Sequence, residues 1–291
     1  MRKKEKETFD IHQGHGNHND AVFGNDSEWT KNVLPECIQR GSVAWVAKDV
    51  PNRLGEDFPP EVVISALNHP PGEIALSILV GLDEKNRHQV LLSAYPECEG
   101  GEVAFTLEEV HEYSAGVEAV LSGSILGGKR GVSFFDTRYA LNKRLYKAGE
   151  TYRFRLSALA YDADVLQDRQ IVYKDDVASD LRKKMGLAPE TEKDGSVKPL
   201  VFDMSRMVAI FQNSAAYPDD TEFQSPAYGI AERKAFGRTF YRLRIAIALD
   251  EHTYENVRVP LYARQDLFSS KPRRNDPIRG HFWLHGHLVG E

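Results

Sequence analysis

The chain is poor in the features that anchor a quick functional reading. It has only two cysteines in 291 residues, Cys37 and Cys98. They lie far apart and show no CxxC spacing, which excludes a cysteine-based zinc knuckle and a disulfide framework. No apolar run reaches the roughly 18 residues of a membrane-spanning helix. The opening stretch "MRKKEKETFDIHQGHGNHND" lacks the apolar core of a secretory signal. A cytoplasmic protein that makes no use of a membrane is the expectation. Surplus positive charge is also missing: the formal net charge is -6 and the pI about 6.0. That sign argues against a non-specific duplex binder but leaves a local basic face open.

Catalytic signatures are absent as well. The sequence contains no GxSxG, P-loop, strand-following GxGxxG or HExxH. "GGKRG" (127–131) lacks the Lys-Ser/Thr and the helix of a phosphate loop and reads as a hairpin turn. Cys98 sits between Glu97 and Glu99, whose charge opposes thiolate formation.

Apolar residues make up 41% and charged residues 27%, the composition of an ordinary globular protein. Short β-branched and aromatic runs punctuated by Gly and Pro recur from residue 41: "SVAWVAK", "EVVISALN", "EIALSILVG", "RHQVLLSAY". The fold class expected is mainly β, a β-rich α+β protein of antiparallel barrel-like or sandwich-like modules with a few short helices. Two helices are predicted. "TLEEVHEYSAG" opens on a capping-box pattern, Thr106 then Glu109, and ends at Gly116. "DDVASDLRKKMGL" has acids first and bases last, as the helix macrodipole favours.

The organisation expected is a polar tail (1–34), a β-rich region with one helix (35–115), a β-module (116–187), a loop (188–199) and a second β-module (200–291). "TFYRLRIAIALD", "NVRVPLYAR" and the closing strand read as a three-stranded meander. An internal echo supports a duplication: Phe134 to Leu156 lies on Phe223 to Ile245 without a gap, matching Tyr139 to Tyr228, Arg144 to Arg233, and Arg153 and Arg155 to Arg242 and Arg244.

Two side-chain patterns carry chemistry. In "RGHFWLHGHLVG", Arg279, His281, Trp283, His285 and His287 share one strand face, and Phe282, Leu284 and Leu288 the other. At about 3.3 Å per residue, His285 and His287 are close enough to share a metal ion, whereas His281 is about 20 Å from His287. A third ligand would come from Asp250, Glu251, His252 or Asp136. His12, His15 and His18 in the tail form a second metal-capable stretch. The other pattern joins aromatic and cationic residues: Trp283 as a stacking surface, with Arg279, Arg242, Arg244, Arg258 and the loop "KPRRN" as anion contacts. Surfaces of this kind occur on open β-barrels of the OB type.

The reading is therefore a non-enzymatic binding or accessory protein with a basic-aromatic β surface, no required cofactor, and single-stranded nucleic acid, a nucleotide or a protein as its partner. The alternative is a metal-dependent enzyme built on His285 and His287 with a divalent transition metal.

Overall fold

The computed structural model describes residues 18–24, 29–51, 61–83, 88–212, 218–250, 252–253 and 255–290. His12, His15 and Glu251 fall outside them. Strands dominate, as the sequence predicts, and the described residues form sixteen of them. An antiparallel sheet is built first from β1 (Ser42–Pro51), β2 (Glu61–His69), β3 (Ile74–Asp83) and β4 (His88–Cys98). Ten others form one larger sheet: β5 (Gly101–Glu112), β6 (Ala119–Ile125), β7 (Arg130–Asp136), β8 (Thr151–Val165), β11 (Ala209–Gln212), β12 (Asp220–Pro226), β13 (Gly229–Ala235), β14 (Arg238–Leu249), β15 (Asn256–Arg264) and β16 (Pro277–Leu288).

Within it, β5, β6, β7, β16 and β8 close into a five-stranded barrel, because β16 pairs with β7 on one side and β8 on the other. The barrel interior and the adjoining strands share one core, which includes Phe105, Phe134, Phe154, Leu243, Leu261 and Phe282. β9 (Gln170–Tyr173) and β10 (Leu200–Asp203) form a separate ribbon in an excursion after β8 that also carries α4 (Asp175–Lys184). Helix α4 occupies the second stretch predicted as helical.

Three expectations are corrected. The stretch from Thr106 to Glu112 is strand, not helix. Val103, Phe105 and Leu107 alternate into the barrel core, and a bulge after Leu107 accommodates Glu108. This two-residue periodicity outweighs the local capping pattern. The last three strands are not a meander. β14 and β15 pair, but β16 lies against β8 from Ile278↔Val165 to Leu288↔Phe154 and against β12. The sequence echo does not join equivalent elements either. Tyr139 is in α3 (Tyr139–Asn142) and Arg144 in a 3₁₀ turn, whereas Tyr228 lies between two strands and Arg233 on β13.

A different repeat exists in the connectivity. Three antiparallel strands, a short helical segment and a fourth strand occur as β5-β6-β7 to β8 and again as β13-β14-β15 to β16. The third strand of each set runs parallel to the fourth of the other, β7 with β16 and β15 with β8.

Within the stretch expected to be a tail, residues 18–24 and 29–34 are described. Ala21, Val22 and Phe23 of α1 (Asp20–Phe23) are buried, and α2 (Trp29–Arg40) runs across the boundary expected at residue 34. The boundary expected at 115 falls in the β5–β6 connection within the barrel. The N-terminal sheet and α1 pack on the barrel's outer face, joining Trp45, Ile64, Leu79 and Tyr95 to Phe135, Leu159, Tyr262 and Trp283.

From Phe282 to His287 strand β16 is thus covered on both faces, and its glycines permit the close approach. A Cβ on Gly286 would sit 2.4 Å from the Arg155 carbonyl oxygen. Gly286→Ala should cost about 2–4 kcal/mol in denaturant unfolding, since the obstacle is backbone. Gly290→Ala, which meets nothing within 4 Å, should be neutral. Equal stabilities for the two variants would refute this view of β16.

Candidate functional site

The odd face of β16 passes from solvent into the core. Arg279 and His281 are exposed, whereas Trp283 and His285 are 0% exposed and His287 9%. The expected continuous exposed platform of Trp283 and arginines therefore does not form, because the N-terminal segment covers the indole. His18 stacks on one side of Trp283 at 4.1 Å between centroids and His285 on the other at 4.3 Å. The Trp283 indole donates to Asp219 Oδ2 at 2.7 Å, and His18 Nδ1 lies 2.5 Å from the Tyr161 hydroxyl, which donates to Asp220.

His285 and His287 do not converge on a metal. His285 Nε2 accepts the Cys98 backbone N–H at 3.1 Å and lies 2.9 Å from Ser157 Oγ. Burial, first of all, presses its pKa down to about 3, so the ring is neutral. A Ser–His contact of this kind pairs the residue types of a nucleophile and its base, but both side chains are fully buried and the base's lone pair already faces a backbone donor. His287 instead turns Nδ1 toward Glu97 Oε1 at 3.4 Å. Asp250 holds Lys129 and its own turn through the His252 and Thr253 amides, and Asp136 accepts from Tyr146 and the Arg138 amide. Among the described residues no group of three His, Cys, Asp or Glu could hold a metal ion.

The arginines separate into two places. Arg279 lines a cleft beside the β9–β11 excursion. Arg242, Arg244 and Arg258 instead share one outer face, because Arg242↔Tyr262, Arg244↔Pro260 and Ala246↔Arg258 are opposite in the β14–β15 ladder. Arg233 on β13 and Arg153 and Arg155 on β8 extend this face. Its charges are unevenly matched. Arg233 and Arg242 both hold Glu73, and Arg153 and Arg155 both hold Glu102. Arg244 and Arg258 have no acidic partner among the described residues. The Arg258 guanidinium lies 3.9 Å from the centroid of the Tyr228 ring, and the Tyr228 amide donates to the Arg244 carbonyl. Cα atoms on such a diagonal are about 7–8 Å apart, so two arginines can reach one anion.

Sequence reasoning missed Tyr228, Glu97 and the Asp219–Asp220 pair. Tyr228 carried a signal as the aromatic partner in the internal echo, but its contact with Arg258 depends on strand order. Glu97 is drawn down to about 2: burial opposes its ionisation, and the His287 contact, Arg138 and Asn68 together outweigh it. Asp219 moves the other way, up to about 7, chiefly through burial, with Asp220 adding repulsion and the Trp283 N–H offsetting part. Burial likewise raises Asp136 to about 7 against its bonds from Tyr146 and the Arg138 amide.

These directions fix the sign of a pH effect. A carboxyl whose folded pKa is raised binds more protons in the native state, so stability falls as pH rises from about 4 to about 7. Glu97 and His285 act oppositely: the Glu97 contribution is complete above its ordinary pKa of 4.5, whereas His285, held neutral, gains stability as pH rises to its ordinary 6.5 and offsets part of the loss from Asp219 and Asp136. The protein should therefore be more stable at pH 5 than at pH 8. Asp219→Asn, which keeps an acceptor for the indole, should flatten that profile and gain up to about 4 kcal/mol at pH 8. Denaturant unfolding across this range checks it, and an unchanged slope in the variant would refute it.

Comparison with known protein families, with curated proteins and with solved structures yields no match, so the site is read from its geometry alone.

Proposed function

We propose that the protein is a non-enzymatic binding protein that takes single-stranded nucleic acid across the β8–β15–β14 face. The observation that carries this reading is the pair Arg244 and Arg258, cations without acidic partners among the described residues, beside the Tyr228 ring. Single strands require what such a face offers: guanidinium groups for phosphates, and aromatic or guanidinium planes on which unpaired bases stack. The net charge of -6 is no obstacle to a local site, since four of the six arginines on this face pair with Glu73 and Glu102 and the other two, Arg244 and Arg258, have no acidic partner among the described residues.

The strand arrangement supports the same reading. A closed five-stranded barrel with a helical segment before its fourth strand resembles the OB type, and such barrels bind oligonucleotides on their second and third strands. The closed barrel's own second and third strands are β6 and β7; in the second connectivity set, whose first three strands lie outside that barrel, β14 and β15 hold the corresponding places and carry Arg242, Arg244 and Arg258. Trp283, buried under the N-terminal layer, makes no ligand contact. The metal-dependent alternative loses its ligand set, because His285 and His287 serve other partners.

Fluorescence anisotropy with labelled 20-nucleotide single strands tests the proposal at low and moderate salt. Arg244→Ala with Arg258→Ala should weaken binding at least about tenfold and reduce the salt slope by about 1. Arg233→Ala should have a smaller effect, because Glu73 already engages that side chain. No binding by the wild type, or equal binding by the double variant, would overturn the assignment.

A further inference from the structure

We propose that the cleft between the barrel and its β9–β11 excursion binds a small amphipathic monoanion, a carboxylate on an apolar body. The cleft has two adjoining lobes of about 350 and 540 Å³, both bounded by Asp164, Gln224 and Arg279. Each is within the size range of small-molecule sites. It is separate from the face assigned to nucleic acid, since neither Arg244 nor Arg258 lines it.

The lining mixes polar groups with a cluster of apolar side chains. Met204, Met207, Phe211, Leu267 and Ile171 contribute, and Phe211 is 64% exposed. The chain has four methionines, and two are here. Their unbranched, polarizable side chains adapt to ligands of variable shape. An exposed phenylalanine next to them is surface that a ligand would remove from water.

Charge selects the ligand's polar end. Arg279 is exposed at the junction of the lobes, and its guanidinium makes no ion pair or hydrogen bond among the described residues. Two of the nearby acids are already engaged. Asp162 accepts from the His281 ring and backbone nitrogen, and Asp164 from the Ser269 amide and hydroxyl. One free guanidinium matches one carboxylate, whereas Asp162, Asp164 and Glu222 around the cleft disfavour a phosphate chain or any other polyanion.

The test uses the full chain with 8-anilinonaphthalene-1-sulfonate, an anionic apolar fluorophore, as the probe and three displacing ligands of equal length: decanoate, decanol and decylammonium. Decanoate should displace the probe at concentrations at least about tenfold lower than the other two. Arg279→Gln should remove that advantage while leaving decanol unchanged. Phe211→Ser should weaken decanoate and decanol alike, and the Arg244, Arg258 double variant should behave as wild type. The proposal is overturned if the wild type fails to bind the probe, if the three ligands compete equally, or if Arg279→Gln retains the preference. None of these outcomes depends on whether oligonucleotides bind.

Discussion

The antiparallel pairing of β8 with β16 is the constraint on which the architecture rests. Each strand has one face in the barrel core, through Phe154, Leu156, Phe282 and Leu284, and the other beneath the N-terminal layer, through Leu159 and Trp283. The same two strands also receive the third strand of each connectivity repeat in parallel. Displacing β16 by one residue would exchange Phe282 for Trp283 and bring His285 to the barrel interior. Register is therefore fixed from two cores at once, and the glycines at 280 and 286 are needed because no side chain fits between the two backbones there.

Much of the strand content was legible because alternation is local. Val103, Phe105 and Leu107 were visible too, yet the Thr106–Glu109 spacing suggested a helix, and only the ladder with β6 decides between them. The position of β16 was not legible. Arg279 to His287 alternate with apolar residues as they would on a strand with one wet face, and nothing in that pattern reveals that His18 and the N-terminal sheet cover its inner half. The connectivity repeat was hidden for a related reason. It relates β8 to β16, whose sequences share little, whereas the similar "YRFRL" and "YRLRI" belong to strands that play different parts.

Most of the polar residues covered along β16 have a partner. The Trp283 indole has Asp219, His285 has the Cys98 amide, and His287 has Glu97. These contacts do not all stabilise equally. Asp219 lies in a site that favours its neutral form, whereas Glu97 lies among donors that favour its charge. Such a layer contributes direction more than net stability, since an apolar segment could bury similar area but would not position His18 between Tyr161 and the indole.

The arginines show why residue type alone does not locate a binding surface. Arg242 and Arg279 look alike in sequence, each near an aromatic residue. In the fold, Arg242 bonds Tyr262 and Glu73 and supports the face from within, while Arg279 stands at the edge of an apolar cleft. Arg244 and Arg258 differ from both, because strand order places them on one diagonal and the Tyr228 ring covers one side of a guanidinium. An arginine's charge is available to a ligand only where no carboxylate has been folded against it. That condition is set by the pairing of strands distant in sequence, and it is met at the β14–β15 face and again at the cleft, in surroundings that suit different anions.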